Sequence, residues 1–132
     1  MSYLVDTNIC SWYLKGHSRI QSRFMQYAGR LSLSVVTVAE LRVWQLRSQV
    51  GAAKSQLLSD IYNDVTVLDV TPAVALKFAE LRSTLLDVGR PAPLFDLLIA
   101  ATALVHDLVL VTHNVKDFVQ IPDLTVVDWL EP

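Results

Sequence analysis

The chain has 132 residues, 52% hydrophobic and 18% charged, and 11 Lys and Arg against 13 Asp and Glu leave a formal net charge of −2. That length fits one domain with a real core, and the mild acidity excludes binding nucleic acid through overall charge, so any such contact needs a local basic patch. No apolar run reaches the ~18–20 residues that span a bilayer, and no basic segment followed by an apolar stretch suggests a signal peptide. The single cysteine, Cys10, excludes an intrachain disulfide and suits a reducing compartment, so a cytoplasmic location is expected.

Tyr3-Leu4-Val5 reads as a short apolar strand that ends on Asp6-Thr7-Asn8, three cap and turn formers, with a helix expected from about Ile9 to Gly16. His17–Tyr27 is amphipathic and basic, with Arg19 and Arg23 one turn apart. Leu31–Val36 has strand character, and Thr37-Val38-Ala39-Glu40 fits a capping box in which Glu40 reaches back to the cap N–H. In the helix that follows, Ala39, Val43, Leu46 and Val50 form a stripe expected to face the sheet. Leu41 and Trp44 lie away from it and are candidates for an interface. Gly51 separates a further helix, Ala52–Asn63. Val65–Val70 is a third strand, and Thr71-Pro72 starts a helix running to about Val88. Arg90-Pro91-Ala92-Pro93 is a stiff loop leading to Asp96, which is read as opening an apolar helix to His106. Leu108–Thr112 is a continuous apolar run suited to a strand buried on both faces. A polar loop (His113, Asn114, Lys116, Asp117) follows, then a last strand, Leu124–Val127, and Trp129 as a closing plug. This alternation predicts an α/β fold, with a mainly parallel sheet of about five strands flanked by helices on both faces.

Parallel strands bring their carboxyl ends to one edge, where ligands of open α/β sheets bind. Asp6, Glu40 and Asp117 should converge there, joined by Asp96 if its helix starts at the same edge. Crowded carboxylates repel and raise one another's pKa values, and a hard divalent cation relieves that cost. Mg²⁺ and Mn²⁺ take oxygen ligands, whereas no His/Cys set here has zinc-like spacing. An acid-only site beside Thr and Asn side chains suits metal-assisted phosphodiester hydrolysis.

Val5-Asp6-Thr7-Asn8, Thr37–Leu41, Asp96–Ala101 and Val111–Phe118 together resemble the four motifs of the PIN domain, and more narrowly the VapC-type toxins of bacterial toxin–antitoxin pairs. The resemblance covers essentially the whole chain as a single domain, 1–132. It implies a Mg²⁺- or Mn²⁺-dependent endoribonuclease with the acidic quartet Asp6, Glu40, Asp96 and Asp117. Asp6 and Asp96 would be the principal metal ligands, and Thr7, Asn8, Thr112 and Asn114 would support the carboxylates or the scissile phosphate. It also implies a homodimer and a VapB-type antitoxin, with Trp12, Tyr13, Leu41 and Trp44 as candidate contacts to either. Lys15, Arg19, Arg42, Arg47, Arg90 and Lys116 are candidate RNA phosphate contacts.

Three other readings fit less well. A haloacid-dehalogenase-type phosphotransferase needs a second Asp where Asn8 stands. A receiver domain needs an acceptor Asp where Thr71-Pro72 follows the third strand. A PIN fold serving only as an RNA- or protein-binding module is disfavoured by the intact quartet.

Overall fold

The computed structural model describes residues 1–132. They run β1 (Tyr3–Val5), α1 (Thr7–Leu14), α2 (Ser18–Gln26), β2 (Leu31–Ser34), α3 (Val35–Arg47), α4 (Ala52–Asp64), β3 (Thr66–Leu68), α5 (Pro72–Asp87), α6 (Leu94–Val105), β4 (Val109–Val111), a 3-10 turn (Val115–Asp117) and β5 (Val126–Val127). All four strand pairings are parallel and the sheet order is β3-β2-β1-β4-β5. The α/β fold expected from the alternation is therefore the one observed.

Two-residue alternation in the strands splits the core. Tyr3 and Val5 of β1, Leu31 and Leu33 of β2, and Val109 and Val111 of β4 point to one face, where Ile9, Cys10, Leu14, Ile20, Leu58, Ile61 and Trp129 cover them. Leu4 and Leu110 point to the other face, against Val74, Leu81 and Leu85 of α5, Leu97–Ala103 of α6, and Phe118 and Ile121. Trp129 is the expected plug, with its ring among Tyr3, Phe24 and Tyr27. β4 continues into Thr112, and Val5 is in register with Val111. The sheet grows outward from β1 through β2 to β3 and, on the other side, through β4 to β5. The strand order therefore reverses between β1 and β4, the kind of crevice where parallel sheets bind ligands.

Several boundaries differ from the sequence reading. Helix α1 begins at Thr7, two residues early, because Asp6 is its N-cap and its carboxylate accepts from the Thr7 N–H at 2.8 Å. β2 stops at Ser34, whose hydroxyl oxygen accepts from the Val36 N–H at 3.0 Å and starts α3 there. Thr37 is consequently a buried residue inside the helix rather than its cap, and no capping box forms. Ser34 is as good a cap as Thr37, and the β-branched Val35 and Val36 enter the helix because Val36 is buried there. Helix α6 starts at Leu94, so Asp96 sits within its first turn.

The apolar stripe of α3 is reversed. Val43 and Leu46 are exposed, at 59% and 81%, whereas Thr37 and Leu41 are buried and Trp44 is half-buried against the same core. Helix α3 is apolar on two sides, and periodicity does not say which side the sheet takes.

Candidate active site

The carboxyl edge of the sheet holds a hollow of about 310 Å³, lined only by polar residues: Asp6, Thr7, Asn8, Ser11, Glu40, Asp96 and Asn114. Each arrives from a different part of the fold. Asp6 ends β1, Thr7, Asn8 and Ser11 lie in the first turns of α1, Glu40 is in the second turn of α3, Asp96 is in the first turn of α6, and Asn114 follows β4. Asp6 is buried and held at both carboxylate oxygens. Its Oδ1 caps Thr7, and its Oδ2 accepts from Thr112 Oγ1 at 2.8 Å. Glu40 makes no backbone cap. Instead its Oε1 accepts from Thr7 Oγ1 at 2.7 Å, which ties α3 to α1 across the hollow. Thr112 is buried behind the hollow and also accepts from the Asn114 N–H at 3.1 Å. Asn8 Nδ2 reaches Thr112 Oγ1 only at 3.5 Å, a long contact.

No cation neutralises this set. The ion pairs in the structure are Lys77–Glu80 and His113–Asp128, and neither includes a member of the quartet. Burial pushes the Asp6 carboxyl up, the hydrogen bonds from Thr112 and Thr7 pull it down, and the charges of Glu40 and Asp117 push it up again. Asp96 is raised to about 6, first by desolvation and then by the charges of Asp6, Asp117 and Glu40. Asp117 does not line the hollow, yet it acts on both carboxylates from the 3-10 turn beside it. The quartet thus shares one electrostatic field. No three of its members bring ligand oxygens mutually within 4.8 Å; the group that does is His113, Asp128 and Glu131. Mg²⁺ takes only one or two carboxylates and keeps several waters, so it does not require three of these carboxylates in direct contact. The donors are all oxygen, one carboxylate is buried, and no protein cation competes for them, so these residues could hold a hard metal ion.

A family model described as PIN domain matches residues 3–124. The chain belongs to the PIN domain family. Within that family it stands with VapC proteins. It is 36% identical over 132 residues to Ribonuclease VapC1 of Haemophilus influenzae strain R2866, covering 98% of each chain. It is 30% identical over 130 residues to the tRNA(fMet)-specific endonuclease VapC of Shigella flexneri, again covering 98% of each. The structure of DNA-bound VapBC from Salmonella typhimurium superposes with a TM-score of 0.90 at 28% identity, over 98% of both chains.

The other expected residues of this PIN domain divide by location. Leu41 is 1% exposed and belongs to the core, which corrects its reading as an interface residue. Tyr13 is half-buried and stacks on Phe24, with ring centroids 4.4 Å apart. Trp12 is exposed and packs edge-on to His17, with Lys15 Nζ 5.0 Å from its ring centroid. Arg42 is committed elsewhere, over the Tyr62 ring and bonded to Gln45 Oε1 at 3.0 Å. Arg19, Arg47, Arg90 and Lys116 are exposed and none lines the hollow. Sequence reasoning missed Ser11, which lies four residues after Thr7 and therefore on the same helical face; that spacing was the available signal. It also missed the carboxylate beneath His113, whose Nδ1 lies 2.9 Å from Asp128 Oδ2, a pairing that only the sheet's closure on β5 creates. No helix in this PIN domain is long and apolar enough to cross a membrane.

Proposed function

We propose that this chain is an endoribonuclease, the toxin of a VapBC-type toxin–antitoxin pair, that hydrolyses RNA phosphodiester bonds with Mg²⁺ or Mn²⁺ at Asp6, Glu40, Asp96 and Asp117. The observation that carries this reading is the polar hollow in which Asp6, Glu40 and Asp96 meet without a protein cation. Asp6 and Asp96 would hold the ion, with Glu40 and Asp117 completing its surroundings. The ion, when bound, supplies Lewis acidity to an attacking water and positive charge for the phosphate oxygens.

The chain's own residues do the positioning. Thr112 and the Thr7 N–H fix both oxygens of Asp6, so its carboxylate is oriented before any ligand arrives. Thr7 Oγ1 occupies Glu40 Oε1 and leaves Oε2 free to take a proton from water. Asn8 and Asn114 present amide groups to the hollow where a phosphate would lie. Substrate in this reading is RNA, the location cytoplasmic, and the regulator a VapB-type antitoxin that blocks the hollow. The exposed apolar residues of α3 (Val43, Leu46) and of α5–α6 (Leu76, Leu86, Leu94, Phe95) are the surfaces that antitoxin and a second subunit would cover.

Incubating the purified protein with structured RNA and Mg²⁺ or Mn²⁺, beside EDTA and Asp6→Asn controls, tests the reading. Cleavage that needs metal and is lost in Asp6→Asn is expected. Cleavage in EDTA or by Asp6→Asn would overturn the mechanism, and RNA binding without any cleavage would leave a binding module.

A further inference from the structure

The acidic hollow is lined by no cationic side chain, so positive charge for the chain on either side of a scissile phosphate must come from neighbouring residues. One such neighbour shares a wall with it. Ser11 lines both the acidic hollow and an adjoining one of about 290 Å³, whose other walls are Leu14 of α1, Lys15 just after it, Trp44 of α3 and Lys54 of α4. Two lysines and a tryptophan thus border one space. Neither lysine is tied up in an ion pair. Arg42, the nearest arginine in sequence to Trp44, is spent on Tyr62 and Gln45. Lys15 leans over Trp12, which restricts where its ammonium can go. A cationic groove with an aromatic wall is the common way to hold single-stranded nucleic acid without reading its sequence.

Building on the nuclease reading, we propose that the Ser11–Lys15–Trp44–Lys54 hollow is the subsite for the nucleotide next to the cleaved bond, its phosphate between Lys15 and Lys54 and its base against Trp44. Ser11 marks the step from one nucleotide to the next. The subsite is sequence-tolerant, because an indole and two ammonium groups carry no base-specific hydrogen-bond pattern.

Binding of a fluorescein-labelled single-stranded RNA octamer in EDTA, titrated against salt, is the test, with Lys15→Gln/Lys54→Gln as the variant. Each neutralised phosphate contributes about 0.7 to the log–log salt slope of a single strand, and the subsite holds one phosphate, so the double variant should be shallower by about 0.7. In metal-containing assays KM should rise about tenfold while kcat changes by less than about twofold, the signature of lost uniform binding. RNA should quench the Trp44 emission, and Trp44→Phe, which keeps an aromatic ring in the core, should lose that quench. An unchanged salt slope, a fall in kcat at constant KM, or a variant that loses only antitoxin binding would each overturn the subsite. Should the wild-type chain bind RNA and never cleave it, the nuclease reading fails alone, since the salt slope still decides whether these lysines hold RNA.

Discussion

Thr112 Oγ1 donates to Asp6 Oδ2 at 2.8 Å, joining residues 106 apart in sequence at the point where the strand order reverses. The bond serves two ends. It satisfies a buried carboxylate oxygen, and it favours the charged form of Asp6 against the burial that opposes it. Thr112→Val keeps the shape and removes the donor. Leaving a buried acceptor short of a partner costs about 1–3 kcal/mol, so the melting temperature should drop by several degrees and metal affinity should fall with it. Thr112→Ser should restore both. Thermal unfolding with and without metal measures the pair.

Asp96 behaves oppositely. Its carboxylate is strained by desolvation and by Asp6, Asp117 and Glu40, so it contributes nothing to stability while ionised. Asp96→Ala and Asp96→Asn should keep the wild-type circular dichroism spectrum, melt no lower than wild type in EDTA at neutral pH, and lose metal-induced stabilisation. A globally unfolded variant would show that Asp96 is instead needed at the start of α6.

The same shift sets a pH dependence. The folded chain holds the Asp96 proton to about pH 6, whereas an ordinary aspartate releases it near its usual value of 3.8. Between those values the folded state binds more protons than the unfolded one, so metal-free stability declines as pH rises through this window. Metal must displace that proton, so affinity should weaken by up to about tenfold per pH unit below pH 6. Calorimetric titration in buffers of different ionisation enthalpy, which counts released protons, is the direct check.

Glu40 is oriented by one hydroxyl, Thr7 Oγ1. If Glu40 takes the proton of the attacking water, Glu40→Gln should lower kcat by about 10²-fold or more. Thr7→Val should lower it less and leave KM nearly unchanged, because the carboxylate is present but no longer aimed. Single-turnover cleavage rates at saturating enzyme separate this from weakened binding.

Leu41 and Leu46 lie on one helix with opposite fates. Leu41 is 1% exposed and Leu46 81% exposed. Leu41→Ala should cost about 2–5 kcal/mol of stability. Leu46→Glu should change stability by no more than about 0.5 kcal/mol, yet weaken co-purification with the antitoxin if α3 is the docking face. Denaturant unfolding and a pull-down on the same two variants read both outcomes.

Much of this was legible in the chain, for identifiable reasons. Leu108–Thr112 suited a doubly buried strand, whose core is Val109–Val111, and Asp6 stood at a strand end followed by cap formers; both features are local. What escaped was non-local or degenerate. The partner of Glu40 is a hydroxyl 33 residues away, while the local pattern offered a capping box that would have used the same carboxylate. The α3 stripe failed because that helix carries apolar residues on both sides, and tertiary packing chose Thr37 and Leu41 over Val43 and Leu46. Lys54 drew no reading from the sequence, because only the packing of α4 brings it beside Lys15 and Trp44.

The central strand β1 is made about a hundred residues before its neighbour β4. A growing polypeptide on the ribosome therefore carries Asp6 with no Thr112 to lock it and no Asn114 to close the wall. An enzyme aimed at RNA is born among RNA, and in this topology its site cannot be assembled before β4 has been made. Chains terminated before Val109 should accumulate without slowing growth, even in cells that lack the antidote; arrest by such a fragment would show that half the sheet suffices.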